Sequence, residues 1–507
     1  MTRRTERETA VSAVTETEHG AQGGEEALAK RLRALEHEQR ALHPGKSARK
    51  QLRRAVVDSS ERFMQSLTRG HAFHEVQDGG IGLLDAPISE QGIAIGDAVS
   101  LLEQNVVLPG ANTASGGHLA YIPGSSVYHA SLGDYYAAVT NKYAGIFFSA
   151  PGAVRMENML LRWAADLVGY PASAGGNIAS GGSIANLAAI TTARDARGLK
   201  GADYARAVVY VTSQAHHCIH KALRIAGMAE ARVRNVAMDE SFRMRPDALA
   251  LAIAEDRKLG FTPWLVIASA GTTDTGAIDP LEAIGEVARR EGCWYHVDAA
   301  YGGFFLLTEY GRKALAGIEL SDSVVLDPHK SLFLPYGSGM VLVRDRKHLE
   351  AAHRYQASYM QDALRDASEV SPADVSPELT KHFRALRMWL PLIVIGTAPF
   401  AAALEEKLLL ARYFRRRIAA LGFEVGPEPD LTVVTYRWAS AGASLEETNA
   451  INRAIIEGSQ RDGRVFLSST MIDGRYTLRM VALSSRTHRK TIDRAIRVLM
   501  QQVESVR

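Results

Sequence analysis

Two short stretches carry residue types that do chemistry together. Lys330 stands in Asp327-Pro328-His329-Lys330-Ser331, and Asp298 in Trp294-Tyr295-His296-Val297-Asp298-Ala299-Ala300-Tyr301. Each follows a short apolar run. A lysine amine condenses with an aldehyde, and a carboxylate keeps a heteroaromatic ring nitrogen protonated so that the ring accepts electrons. Facing one pocket, the pair meets the demands of a pyridoxal-phosphate enzyme. A buried ammonium and a buried carboxylate are costly unless used or paired, which sets these two apart from ordinary polar residues.

A third stretch, Gly175-Gly176-Asn177-Ile178-Ala179-Ser180-Gly181-Gly182-Ser183-Ile184-Ala185-Asn186, reads as a glycine-rich turn running into a helix. Glycines let backbone approach a ligand, and a helix start offers unpaired N–H groups to a phosphate. Its spacing is not the G-x-G-x-x-G of dinucleotide sites. Alone it is an ordinary turn; with Asp298 and Lys330 downstream it becomes a phosphate cradle. Gln214-Ala215-His216-His217-Cys218-Ile219-His220 invites a metal reading, since His216 and His220 would share a helix face. No acidic residue completes an H-E-x-x-H pattern, and Cys218 falls on another face, so no metal is expected. A histidine at the mouth of a strand can instead lie flat on an aromatic cofactor, the better use of His216.

The elements that must position these residues alternate from about residue 155 to 345. Strand-like runs are Ala207–Val211, Trp264–Ala268, Tyr295–Val297, Ser323–Leu326 and Gly339–Val343, with helical stretches such as Asp247–Leu259 and Pro280–Arg290 between several of them. Near-continuous apolar strands alternating with helices predict a mostly parallel central sheet covered by helices, an α/β fold. Ligands in such sheets sit beyond the carboxyl ends of strands, where Asp298 and Lys330 fall. A helix is expected from Ser376-Pro377-Glu378, with Ser as N-cap and Pro at the first helical position. Strand, helix, strand and helix over Thr432–Trp438, Leu445–Ser459, Tyr476–Leu483 and Thr487–Val503 predict a smaller α+β C-terminal domain.

At the other end, residues 1–23 read as a disordered tail, and two helical stretches follow, through Glu25–Leu42 and Leu52–Leu67. Each has one narrow apolar face. An N-terminal helical arm clasping a second subunit and packing on the chain's own body both fit. The boundaries are thus 1–23 for the tail, 24–95 for the helical segment, 96–395 for the large domain and 396–507 for the small one.

The 507 residues suit a large domain with one or two smaller ones, and 46% apolar with 23% charged content is that of a soluble globular chain. A formal charge of +3 gives no reason to expect nucleic acid or an anionic membrane as partner. The basic run Lys46 to Arg54 reads as a solvated helix face. Cys218 and Cys293 are the only cysteines, which argues against a disulfide scaffold and fits a reducing compartment. The first 25 residues hold no apolar signal-like stretch, and Leu390–Leu404, broken by Pro391, Gly396 and Pro399, reads as a buried helix with a break. A cytoplasmic location is expected.

The ordered blocks Gly-Gly-Ser-Ile-Ala-Asn, Gln214-Ala215-His216, Gly271-Thr272-Thr273, His296 through Tyr301, Asp327 through Lys330 and Phe383-Arg384-Ala385-Leu386-Arg387-Met388-Trp389 resemble the group II pyridoxal-phosphate decarboxylases, the family of aromatic-amino-acid and glutamate decarboxylases. The resemblance covers roughly residues 90–500 and implies a fold-type I PLP-dependent transferase-like architecture. It implies that Lys330 links covalently to pyridoxal 5'-phosphate, Asp298 pairs with its ring nitrogen and His216 stacks on the ring. Gly182 and Ser183 would bind the phosphate with His329 nearby, and Thr273 and Ala300 would support the cofactor, although strand-end packing also accounts for those two. Tyr121, Tyr143, Phe147 and Phe148 lie in a segment that by resemblance helps line the substrate pocket, with Tyr121 and Phe147 singled out; they suit an aromatic or large apolar amino acid, or core. A homodimer with its active site at the interface is implied as well.

The chain departs from that family in two places. Residues 361–389 hold no tyrosine, whereas the family carries one in a loop before its Phe-Arg-x-Leu-x-x-Trp block; the matching place falls near Pro372-Ala373, in a Ser371-Pro372-Ala373-Asp374 stretch that resembles a capped turn. Asp327 stands where asparagine is common. The expected activity is decarboxylation of an L-amino acid to the amine and CO2, with Tyr359, His216, Lys330 or His382 protonating Cα. Oxidative decarboxylation–deamination to an aldehyde, or a silent cofactor-binding relative, are the alternatives. Arg479 would take the substrate carboxylate in an aminotransferase; a structurally paired strand-end arginine is the plainer account.

Overall fold

The structure, a computed structural model, describes residues 24–67, 70–77, 79–122, 124–354 and 369–506. The expected tail and Tyr359 lie outside the described residues. Two compact units divide the chain: residues 1–66 with 80–107, and residues 67–79 with 108–507. Residues 67–79 and 96–107 thus fall on the opposite sides of the expected boundary after residue 95.

In the first unit, helical residues 24–38 lead through Gln39–Leu42 to the helix Lys46–Ser66. The basic run lies exposed on that helix. Ser59 and Arg62 both donate to Glu103 at 2.5 and 2.8 Å, and these bonds hold its carboxyl below the usual range.

The second unit is built on a seven-stranded sheet: β1 Gly175–Ala179, β2 Ala207–Val211, β3 Arg232–Asn235, β4 Thr262–Ser269, β5 Trp294–Asp298, β6 Ser323–Leu326 and β7 Gly339–Val343. Their spatial order is β1-β7-β6-β5-β4-β2-β3. The β6–β5, β5–β4, β4–β2 and β2–β3 pairs are parallel, while β7 is antiparallel to both β6 and β1. Six strands therefore end at one edge, and only β7 runs against them. Helices cover the sheet, and β2, β6 and β7 are buried at every position, as their continuous Val/Leu content requires. A four-stranded antiparallel sheet follows: β8 Glu424–Val425, β9 Val433–Arg437, β10 Ser468–Ile472 and β11 Arg475–Val481, in the order β8-β9-β11-β10. It packs Tyr436, Leu478 and Met480 against Phe414, Ile455 and Leu499 of its helices.

Three local expectations are corrected. Gly175–Ala179 is an edge strand rather than a turn, because all five residues register against β7, and a side chain on Gly176 would meet the Val341 carbonyl at 2.2 Å. No helix starts at Ser376: its Oγ accepts from Glu378 N at 3.0 Å, a local turn that competes with helix entry, and the helix begins at Ala385. The Leu390–Leu404 break is present at Gly396, between helices Ala385–Ile395 and Ala398–Ala420 bent by 95°, but Ile393 and Val394 are exposed rather than buried. Among the described residues no single helix is long and apolar enough to cross a membrane.

Candidate active site

A cavity of about 390 Å³ opens where the carboxyl ends of β1, β2, β4, β5 and β6 converge. Asp298 ends β5, and Lys330 sits on the one-turn helix Pro328–Ser331 just after β6. Gly181, Gly182 and Ser183 follow β1, His216 follows β2, and Thr272 and Thr273 follow β4; all of them line the cavity, with Ala300 and His329. One sheet edge has collected residues spread over 150 positions of chain, which is what parallel strands do.

Lys330 is the centre of charge. Its Nζ lies 3.0 Å from Asp327 Oδ2. Burial alone would depress the lysine pKa, but Asp327 and then Asp298 outweigh it and hold the group above the ordinary lysine value. Its direct ion partner is thus Asp327, the residue that departs from the family pattern. Among the described residues Asp327 Oδ1 is buried with no hydrogen-bond partner, and His329 Nε2 stands 3.7 Å from Oδ2. His329 uses Nδ1 on the Ser338 carbonyl, and burial lowers its pKa.

Asp298 sits among fixed donors. Ala300 N donates to its Oδ1 at 3.1 Å and Asn186 Nδ2 to its Oδ2 at 3.4 Å. His216 Nδ1 accepts from Cys218 N at 3.2 Å; burial lowers its pKa, which favours a neutral ring. Burial likewise pushes the Cys218 thiol far up, so it is no nucleophile here. The loop after β4 is held from the C-terminal sheet: buried Arg479 donates to the Asp274 carbonyl at 2.8 Å and to the Thr273 carbonyl. Arg479 is therefore a structural clamp, the plainer of its two expected roles.

Other expected residues fall elsewhere. Phe147 does not line this cavity: it is buried in the body of the unit, with the Arg155 guanidinium 5.1 Å from its ring centroid. Tyr121, at φ +56°, is exposed and packs beside Phe466 outside the lining. His382 is exposed and also outside it. Pro372–Val375 forms the expected helical turn but without a side-chain cap, because Ser371 Oγ accepts instead from Phe147 N at 3.0 Å. Arg387, in the Phe383–Trp389 block, binds Asp134 at 2.7 Å and the Tyr336 carbonyl at 2.8 Å, steadying the loop after Lys330. Among the described residues no group of three or more His, Cys, Asp or Glu is placed to hold a metal.

The cavity suits pyridoxal phosphate. The helix Gly182–Ala196 starts at its wall, a helix end whose first N–H groups lack intrahelical partners and suit a phosphate, and a side chain on Gly339 would collide with Gly181 at 2.3 Å. Lysine, carboxylate and neutral imidazole then surround the remaining volume. Residues 93–439 match the model of the pyridoxal-dependent decarboxylase conserved domain. The chain is 32% identical to an aromatic-L-amino-acid decarboxylase of Bacillus atrophaeus, over 82% of this chain and 87% of that one. It is 27% identical to a phenylacetaldehyde synthase of Arabidopsis thaliana, over 78% and 84%. The crystal structure of Oryza sativa TDC with PLP and tryptamine superposes with a TM-score of 0.86 at 26% identity, covering 91% of this chain and 99% of that one.

The chain belongs to the pyridoxal-dependent decarboxylase family. It is a PLP-dependent carboxy-lyase of fold type I, within a set of relatives that includes aldehyde synthases.

Sequence reasoning passed over Asn186, His296 and Ser323 as actors. The signal was there: a polar residue inside an otherwise apolar, fully covered element needs a partner.

Proposed function

We propose that the protein decarboxylates an aromatic or large apolar L-amino acid to the amine and CO2. The convergence of Lys330 and Asp298 beside the Gly182 helix start carries this reading. The cofactor, when bound, supplies an electron-accepting ring that lets the substrate's Cα–carboxylate bond break. Lys330 would hold its aldehyde carbon, Asp298 would pair with its ring nitrogen and His216 would stack on its ring. Gly182 and Ser183, with His329 nearby, would hold its phosphate, while Thr273 and Ala300 would support it. The side-chain preference has two supports. No arginine lines the cavity among the described residues, so an acidic substrate lacks a second cation, and the Bacillus atrophaeus relative is named for aromatic substrates.

Lys330, kept protonated by Asp327, is the lining group that would return a proton to Cα, since burial disfavours the charged form of His216. A second reading rests on the absent tyrosine of residues 361–389: if Cα is not protonated, the amino acid would be oxidised by dioxygen, one O2 and one water being consumed per CO2 to give aldehyde, ammonia and hydrogen peroxide. We also propose a cytoplasmic homodimer, supported by exposed Tyr135, Tyr136, Val139, Ile393 and Val394 on two neighbouring helices and by two free, buried cysteines.

The test is incubation of cofactor-loaded protein with single L-amino acids, following CO2, amine, ammonia and peroxide together. CO2 with equimolar amine from aromatic substrates is expected. Equimolar ammonia and peroxide would establish the second reading, and no CO2 from any amino acid would overturn both.

A further inference from the structure

Beneath the cavity runs a buried line of polar groups that the reaction as described does not use. Trp294 Nε1 donates to Ser323 Oγ at 2.9 Å, and Ser323 Oγ lies 2.8 Å from His296 Nδ1. His296 Nε2 lies 2.9 Å from Asn186 Oδ1. Asn186 Nδ2 then donates to the Gly182 carbonyl at 2.9 Å and to Asp298 Oδ2 at 3.4 Å. The four side chains are between 0 and 4% exposed. His296 is two residues before Asp298 on β5 and so shares its face of the sheet; Ser323 is its registered neighbour on β6.

Counting donors gives the line a direction. An indole N–H only donates, so Ser323 Oγ accepts from Trp294. Among the described residues the serine hydrogen has one further acceptor, His296 Nδ1. Burial lowers the histidine pKa to about 4, so at neutral pH the ring carries a single hydrogen, and with Nδ1 accepting from Ser323 that hydrogen is assigned to Nε2. That hydrogen goes to Asn186 Oδ1, which turns the amide nitrogen toward Gly182 and Asp298. The line begins at a group that can only donate and ends at a carboxylate.

We propose that Trp294, Ser323, His296 and Asn186 form a positioning relay that aims the Asp298 carboxylate at the ring nitrogen of the cofactor. The proposal rests on the reading of Asp298 given above. Through the Gly182 carbonyl the same asparagine fixes the helix that opens the phosphate cradle, so ring and phosphate ends are registered by one side chain. Losing the Ser323 hydroxyl frees His296 to move its hydrogen to Nδ1. Asn186 then turns its oxygen toward Asp298, and the carboxylate swings away.

The experiment reconstitutes wild type, Ser323→Ala, Asn186→Leu and Asp298→Asn with cofactor labelled with 15N in the ring, and reads the 15N shift by solid-state NMR beside kcat and KM. Asp298→Asn is expected to move the shift to that of neutral pyridine. Ser323→Ala, a one-atom deletion that keeps the fold, is expected to move it part of the way and to lower kcat about tenfold with KM within about twofold. Asn186→Leu should move it further, and Ser323→Thr should restore it. If Asp298→Asn shifts the signal and Ser323→Ala leaves it at the wild-type value, the relay is wrong. If Asp298→Asn leaves it unchanged, the role of Asp298 itself fails.

Discussion

Asp298 and Asp327 line one cavity, Asp298 closing β5 and Asp327 following the adjacent parallel β6, and their surroundings are opposite. Asp298 has a donor on each oxygen and a hydrogen-bonded line behind it. Asp327 has Oδ2 on Lys330 and, among the described residues, Oδ1 buried without a partner, and a side chain on Gly182, where the helix starts, would meet its Oδ2 at 2.7 Å. The first carboxylate is built to be held still. The second is only half satisfied, so its position changes when Lys330 or the neighbouring phosphate changes. A carboxylate with a donor on each oxygen serves geometry, whereas a half-satisfied one stores an imbalance that a ligand can relieve.

Removing Lys330 abolishes the contrast and has the largest effect. Lys330→Ala should lose the visible absorption of covalently held cofactor and drop turnover below about 10⁻⁴ of wild type. Asp298→Asn should keep the cofactor but lower kcat on the order of 10²-fold, measured with saturating substrate, because the held end no longer serves the ring. Unchanged turnover would make the two carboxylates equivalent.

Asp327→Asn should act in the opposite sense on binding. A neutral amide no longer repels the phosphate, so cofactor affinity should rise about tenfold by fluorescence titration. The pH dependence sharpens this. Capture needs the free amine of Lys330, and the raised lysine pKa keeps that amine protonated through neutral pH. The capture rate should therefore climb with pH, and in Asp327→Asn the climb should begin at lower pH. A weaker-binding Asp327→Asn would mean that the carboxylate is part of the cradle. Smallest of all, His382→Gln lies outside the cavity and should leave turnover within about twofold in a steady-state assay.

Asp298 and Lys330 were legible because each closes an apolar run and parallel strands bring such ends to one edge. Their relation to Asp327 was not, since a carboxylate three residues before a lysine becomes its ion partner only when a one-turn helix folds between them. Gly175–Ala179 was hidden for another reason: Gly-Gly-Asn has little strand preference, and pairing with β7 imposes the conformation. Phe147 shows the limit of residue type, because an aromatic near a site and an aromatic in a core look alike in sequence. The Ser376-Pro377 signature also misled, since the same serine oxygen that caps a helix closes a turn equally well.

Arg479 reaches from the C-terminal sheet to hold two backbone carbonyls of the loop flooring the cavity. That sheet is thus a guarantor of colour in a protein whose chromophore it never meets. Any truncation that removes β11 should leave the large sheet intact yet bleach the holoenzyme, and loss of cofactor absorbance on heating should mark the melting of the small layer before that of the large one.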